Sequence, residues 1–449
     1  MTLSDVLKQC EQADVRRIKL GTVDIDTTLR GKYISLDKFT ASALSGAGFC
    51  DVIYGWDIGD ALYDGVDVKV TGWSTGYPDA VARFDLDSFR LIPWEPGTAF
   101  FLMDLYDKNG EPLAMAPRNV LKRVLERAAT LGYEAFFAGE YEFFLFRETP
   151  ESLREKGFRN PTPLSPGMFG YSVLRASQHS DLTLALMDQL NAFQLGLEGF
   201  HTETGPGVYE AAINVDRGVA AADKAALFKT AVKEICSRHR VMATFMAKWS
   251  PDLPGSGGHI HQSLWDKANQ ANLFHGGDGV MSDLMRYYIG GLVKNLPEMI
   301  ALLCPTVNSY KRMVPGTWAP VNASWGVDNR TAAVRAIPGR QKSTRVEMRA
   351  CGADLNPYLA MASCLAAGLD GIENRVEPPS PAENAYRCDA APLPRTLRDA
   401  TAKFSASDVA RGWFGDAFVD HYGATRDWEC RQYEKAVTDW ELARYFESI

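Results

Sequence analysis

The chain is poor in the features that mark several large classes of protein. Its 449 residues hold no run of ~18 uninterrupted apolar positions, so no membrane-spanning helix is expected. Positive charge is outweighed: 48 Lys and Arg against 56 Asp and Glu give a net charge of −8. Phosphate backbones and anionic lipid surfaces demand a basic face, so neither a nucleic-acid nor a membrane partner is expected. The eight cysteines, at 10, 50, 236, 304, 351, 364, 388 and 430, include no C-x-x-C pair. That excludes a zinc finger and offers no disulfide framework; they read as buried thiols of a reduced, cytoplasmic protein. The opening MTLSDVLKQCEQADVRR lacks the apolar stretch of a signal peptide. No internal repeat, low-complexity tract or heptad run is present.

What remains is the composition of an ordinary globular enzyme, 46% hydrophobic and 23% charged. This length exceeds one compact core, so two domains are expected. The first part carries short strand-like runs, RRIKLGTVDID, ARFDLDSFRLIPW and TAFFLMDLYD, the last closed by the turn Lys108-Asn109-Gly110. Pro117 then opens a helical segment with Val120, Leu121, Val124, Leu125 and Ala128 on one stripe and Gly132 as its stop. The boundary is therefore placed near residue 110, giving a β-rich unit at 1–110 and an α+β unit at 111–449. Further helices are expected over 181–195, 219–240, 281–303 and 357–371, and a surface loop over the proline-rich 376–394.

The chemistry shows in the exceptions to strand patterning. In AGEYEFFLF, Glu140 and Glu142 lie two apart and share a face, just before the apolar run Phe143 to Phe146. Adjacent carboxylates there need a cation or a retained proton, unless the strand is a solvated edge. GSGGHIHQSL puts His259, His261 and Ser263 on one face, behind a glycine-rich turn. STRVEMRA aligns Arg345, Glu347 and Arg349, an arrangement that a surface ion-pair ladder would also produce. In FHTETGPGVYEAAINV, Glu203 and Glu210 flank a Gly-Pro-Gly turn that folds them back toward each other. Four such elements together point to one polar site, and a Glu-rich ligand set suits magnesium or manganese.

At these residues the chain resembles the glutamine synthetase family, bacterial type I branch. GEYEFFLF, HTETGPGVYE, GSGGHIH, NSYKRMVPG, DNRTAAVR, RVEMR and ADLNPYLAMA carry the resemblance across essentially the whole chain. It implies an α+β fold: a small N-terminal β-grasp-like domain ahead of a catalytic domain with a curved antiparallel sheet flanked by helices. It also implies two ions, one held by Glu142, Glu203 and Glu210 and one by Glu140, His259 and Glu347. Glu198, His261, Ser263, Lys342 and Arg345 match nucleotide-binding positions. Arg312, Arg349 and the backbone of Gly255 match the glutamate site, while Arg330 and Arg335 match arginines that clamp the transferring phosphoryl group. Asp24, in a segment lent to a neighbouring subunit, and Asp57 match acidic positions at the amine site. The implied reaction makes γ-glutamyl phosphate from glutamate and ATP, then transfers the acyl group to an amine. The implied assembly is a homododecamer of two hexameric rings. Arginine's planar fork and paired ions suit a reaction that brings anions together.

The chain departs from the family at two places. Six residues after Arg312, where glutamine synthetases carry a Glu that binds ammonium, stands Trp318. Trp accepts no proton but can wall an apolar pocket or stack on an alkylammonium. The resemblance therefore narrows to the γ-glutamylpolyamine and γ-glutamylalkylamide synthetases, with an organic amine as acceptor. Ammonia, a non-catalytic family member and an acid other than glutamate are the alternatives. Pro254 replaces an Asn beside the glutamate site. Tyr386 lacks the surroundings of the family's adenylylated tyrosine, so no such control is expected.

Overall fold

The computed structural model describes residues 1–65, 68, 71–268 and 270–449. Two sheets organise the described chain. The first comprises β1 (Arg17–Val23), β2 (Leu29–Ser35), β3 (Ala47–Cys50), β4 (Asp79–Phe84), β5 (Arg90–Leu91) and β6 (Thr98–Tyr106). Its order is β2-β1-β6-β4-β3, with β5 alongside β6. β1 and β6 run parallel and the other pairs antiparallel. The TAFFLMDLY run is β6, and all of it but Tyr106 is buried, as a central strand covered on both faces must be.

The second sheet is larger: β7 (Tyr133–Phe146), β8 (Leu197–Thr202), β9 (Val208–Ile213), β10 (Asp216–Arg217), β11 (Met242–Thr244), β12 (Gly258–Asp266), β13 (Trp325–Val327), β14 (Val334–Ile337) and β15 (Arg345–Met348). The order β13-β14-β15-β12-β7-β9-β8 places the 14-residue β7 near the centre, with β10 and β11 on its two ends. Apart from the parallel edge pair β13–β14, it is the curled antiparallel sheet of the expected α+β class, with helices packed against one side. Along β7, Phe137, Tyr141 and Phe143 turn toward those helices; Tyr141 stacks on Phe228 of the helix Gly218–Arg238. Glu140 and Glu142 occupy the other face. Beyond them the same face is capped by Phe144, Phe146, Val208 and Trp249, which is why the last four residues of β7 are all buried.

The helices appear where the patterning put them: Pro117–Thr130, Ser180–Ala192, Gly218–Arg238, Asp283–Leu303 and Pro357–Glu373. Four more at the C-terminus, Leu397–Ser405, Asp408–Phe414, Asp416–Lys435 and Asp439–Tyr445, were not read from the sequence. The helices Asp283–Leu303 and Pro357–Glu373 cross so closely that a Cβ on Gly291 would lie 2.2 Å from the Ala367 carbonyl oxygen. Residues 376–394 are irregular apart from a short turn at Ala385–Arg387. All eight cysteines are free thiols, six of them buried. No described helix is long and apolar enough to cross a membrane.

The two sheets are joined by a buried charge network. Arg118 donates to Asp104 on β6 at 2.7 Å, to Asp223 of the helix Gly218–Arg238 at 2.8 and 2.9 Å, and to Asp85 after β4. Tyr358 also donates to Asp223, at 2.7 Å. Burial opposes a charged guanidinium, but these carboxylates overcome it and hold Arg118 protonated.

Candidate active site

Strand register assembles the site. Glu140 on β7 stands opposite His259 on β12, and Glu142 stands opposite Glu210 on β9. One strand further out, His261 faces Glu347 on β15, which faces Arg335 on β14. Glu210 in turn faces His201 on β8. Because side chains alternate along a strand, these pairings put all of them on the face away from the helices. Glu203 joins them from the turn after β8: its side chain accepts from Thr204 N at 3.0 Å and lies 3.1 Å from His201 Nε2.

Three groups of donors result, each with its atoms within 4.8 Å of one another: Glu140, His261 and Glu347; Glu140, Glu210 and His259; and His201, Glu203 and Glu210. Five of the six expected metal ligands fall in them. Glu142 does not; one of its carboxylate oxygens accepts from Gly257 N at 2.7 Å. His201 was not anticipated from the sequence.

The electrostatics show what the site needs. Burial, with the charges of Glu140, Glu142 and Glu203, pushes the Glu210 carboxyl far above its ordinary range. Burial works the same way on Glu140, yet hydrogen bonds from His259 and His261 overcome it and hold that carboxyl well below. His259 Nδ1 lies 2.9 Å from Glu140, while its buried Nε2 has no partner. A buried orphan imidazole nitrogen beside a carboxylate that repulsion drives toward protonation fits a divalent cation. The donors present therefore suit the ions that the resemblance implies.

Cations ring the carboxylates. Arg335 donates to Glu347 at 2.9 Å, and Arg349 also bonds Glu347 while donating to the Arg330 carbonyl at 3.0 Å. Burial would raise Glu347, but His259, His261 and Arg349 bring its carboxyl down to about 2. Arg345 Nε lies 3.1 Å from His261 Nδ1. Buried Arg312 has an unpartnered Nη1. It borders both Gly255 and Gly257: a Cβ on Gly257 would lie 2.8 Å from His259 Nε2, 3.0 Å from Arg312 Nη2 and 3.2 Å from Glu142 Oε1. Gly257 thus lies between Arg312 and the carboxylates, where an added side chain would crowd His259 and Arg312. The glycine-rich turn was legible, but which of its glycines mattered was not.

Other expected residues lie further out. Ser263 continues the histidine face of β12 and accepts from Trp265 Nε1 at 3.1 Å. Glu198, Arg330 and Lys342 are exposed. Asp24 is 3% exposed, and its carboxylate accepts from Arg30 Nε and Thr28 N, each at 2.8 Å, within its own chain. Asp57 organises its own turn through Gly59 N and Ala61 N and accepts from Trp428 Nε1 at 2.9 Å. Among the described residues, neither Asp has a hydrogen bond or ion pair to the sheet carboxylates. Trp318 is 64% exposed and sits in left-handed backbone at φ 59°, after a turn closed by Thr317 and Val314.

Residues 114–445 match the catalytic domain of glutamine synthetase. The type-1 glutamine synthetase 2 of Dictyostelium discoideum is 45% identical, over 99% of this chain and 86% of its own length. A glutamate–isopropylamine ligase of a Pseudomonas species is 40% identical over 98% of this chain and 96% of its own. A solved GmaS–ADP complex superposes with a TM-score of 0.87 at 28% identity, covering 99% of this chain and all of that one.

Proposed function

The chain belongs to the glutamine synthetase family as an ATP-dependent glutamate–amine ligase, and from that premise we propose that its amine is an organic one, an alkylamine or a polyamine. The observation that carries this reading is Trp318, an exposed indole where the resemblance calls for the acid that receives ammonium. An indole face attracts an alkylammonium through its quadrupole and covers its carbon chain, neither of which helps a bare ammonium ion compete with water. The isopropylamine ligase among its relatives supports the same class of acceptor.

The reaction divides between the two faces of the site. Glu140, His259 and Glu347 would hold one magnesium or manganese ion, and Glu203 and Glu210, with Glu142 beside them, another. Bound there, such ions neutralise the phosphate and carboxylate oxygens that must approach each other. Arg312 and Arg349 face the glutamate α-carboxylate, and Arg335 with Arg330 faces the phosphoryl group. His261, Ser263, Lys342 and Arg345 line the nucleotide side. A γ-carboxylate oxygen bonds to the terminal phosphorus of ATP as ADP leaves. The amine nitrogen then bonds to the acyl carbon as phosphate leaves, and the amine gives up a proton. The Gly- and Pro-containing segments SYKRMVPGTW and LPGSGG would close over the acyl phosphate and shield it from water. We place these sites in a ring of subunits, two stacked hexamers; exposed Trp440, Leu442, Tyr445 and Phe446 at the C-terminus support association.

The test is an amine panel read by phosphate release and product mass, with glutamate, ATP and either metal. Mono-, di- or polyamines should support turnover well above that of saturating ammonium, each yielding the γ-glutamyl amide. Equal turnover with ammonium would sink the organic-amine reading and leave an ordinary glutamine synthetase, as the 45% identical relative is named.

A further inference from the structure

We propose that His201, clamped beneath the ring of Tyr171, is a nitrogen donor to the ion on the Glu203–Glu210 side, giving that ion a mixed carboxylate–imidazole shell that favours manganese over magnesium. The inference rests on the ligase reading only in taking that ion to be part of the working site.

The geometry is specific. His201 Nε2 lies 3.1 Å from Glu203 Oε1 and 3.4 Å from Glu210 Oε1, so one nitrogen addresses both carboxylates. Those are hydrogen-bond distances, and a cation placed among the three atoms would be met by all of them. The third expected oxygen ligand of that ion, Glu142, lies outside this three-donor group and has one oxygen on Gly257 N.

The imidazole is held in place. The Tyr171 ring lies parallel over it, centroids 4.3 Å apart and planes 11° from each other. Tyr171 is 73% exposed and adopts φ 54°, a conformation that costs a tyrosine energy unless its surroundings impose it. They do. The segment is stitched to the end of β8 at Thr202, one residue beyond His201. Tyr171 N donates to Thr202 O at 2.6 Å, Ser172 N donates to Thr202 Oγ1 at 2.9 Å, and Thr202 Oγ1 donates to Phe169 O at 2.9 Å. A Cβ on Gly170 would lie 2.9 Å from Thr204 Oγ1, so the approach also depends on that glycine. A strained, exposed aromatic pinned over one histidine is explained if that histidine must keep one orientation. Carboxylate shells accept magnesium and manganese alike, whereas an imidazole nitrogen shifts preference toward the later, softer ion.

The experiment reads metal binding to the full-length protein without substrates, by titration calorimetry with Mn2+ and with Mg2+. His201→Gln should weaken one class of Mn2+ site by roughly 10- to 100-fold, with a smaller change for Mg2+ and none at the other class. Tyr171→Phe, which keeps the stack, should bind as the parent does; Tyr171→Ala should lie in between. Because His201→Gln could disturb folding, His259→Asn supplies a second readout. In this variant, electron-spin-echo spectra of bound Mn2+ should still show coupling to an imidazole nitrogen, and that coupling should disappear when His201→Gln is added, which separates it from His261. An unchanged Mn2+ isotherm in His201→Gln, or loss of all nitrogen coupling in His259→Asn with Mn2+ still bound, overturns the proposal. A parent that binds Mn2+ as described but makes no γ-glutamyl amide would instead refute the ligase reading and leave this inference standing.

Discussion

Glu347 is the most heavily constrained carboxylate in the site, and replacing it with Gln gives a quantitative test of how the site is held. It is 1% exposed and bonded to Arg335 and Arg349, with His259 Nδ1 at 3.5 Å. Its carboxyl falls from 4.5 to about 2, so the folded protein favours the charged form by about 3 kcal/mol, at about 1.4 kcal/mol per unit. The shift is downward for an acid. Its contribution is complete above pH 4.5 and is lost as pH falls toward 2. Glu347→Gln keeps the shape, removes the charge and leaves two guanidinium groups facing a neutral amide. Breaking a buried pair of this kind costs about 3–5 kcal/mol, in line with the first figure. The assay is denaturant unfolding at pH 7 and fixed protein concentration, since association shifts apparent stability. Arg335→Gln in the same background should cost less than it does alone, because the charge it paired with is already gone. A Glu347→Gln protein within about 0.5 kcal/mol of the parent would refute the reasoning, as that is the scale of a neutral surface change.

Other consequences follow from single residues. Arg118→Met should cost about 3 kcal/mol by unfolding, since it removes the cation shared by Asp104 and Asp223 and leaves them with Lys122 and the Tyr358 hydroxyl. His421 is buried, with neither ring nitrogen partnered, and burial lowers it from 6.5 to about 4. The unfolded chain therefore binds the extra proton between those values, and stability should fall as pH drops below 6.5, by about 3 kcal/mol at pH 4. His421→Leu should flatten that slope in unfolding curves taken across the window. Gly257→Ala should leave the fold intact by circular dichroism but lower both metal affinity and turnover, because its Cβ would crowd His259 and Arg312. Trp318→Glu should move the ratio of alkylamine to ammonium turnover toward ammonium, by up to roughly 30-fold if the indole gives the alkylammonium about 2 kcal/mol. An unchanged ratio would remove Trp318 from amine selection.

Strand parity carried the reading of the site a long way, because it is a local rule: Glu140 with Glu142, and His259 with His261, share a face as soon as their segments are strands. What parity cannot supply is register. That Glu142 meets Glu210 while Glu140 meets His259 depends on how β9 and β12 slide along β7, which long-range packing sets. His201 was missed for the same reason. It lies two residues before Glu203, near the end of β8, yet a lone histidine beside a Gly-Pro turn carries no signal until β8 is paired with β9. The ring above it comes from an irregular segment 30 residues earlier, tied to β8 by hydrogen bonds at Thr202. Three of the four C-terminal helices are only seven to nine residues long and went unread, as did the 20-residue Asp416–Lys435. Around Asp24 the chain itself supplies Arg30 and Thr28 as partners, a local contact that the motif match did not reveal. The residues whose chemistry a strand displays were legible, and those whose position depends on tertiary pairing were not. Register therefore brings His201 to the glutamate side of the site, where, on the proposal above, a nitrogen donor helps decide which ion the enzyme works with.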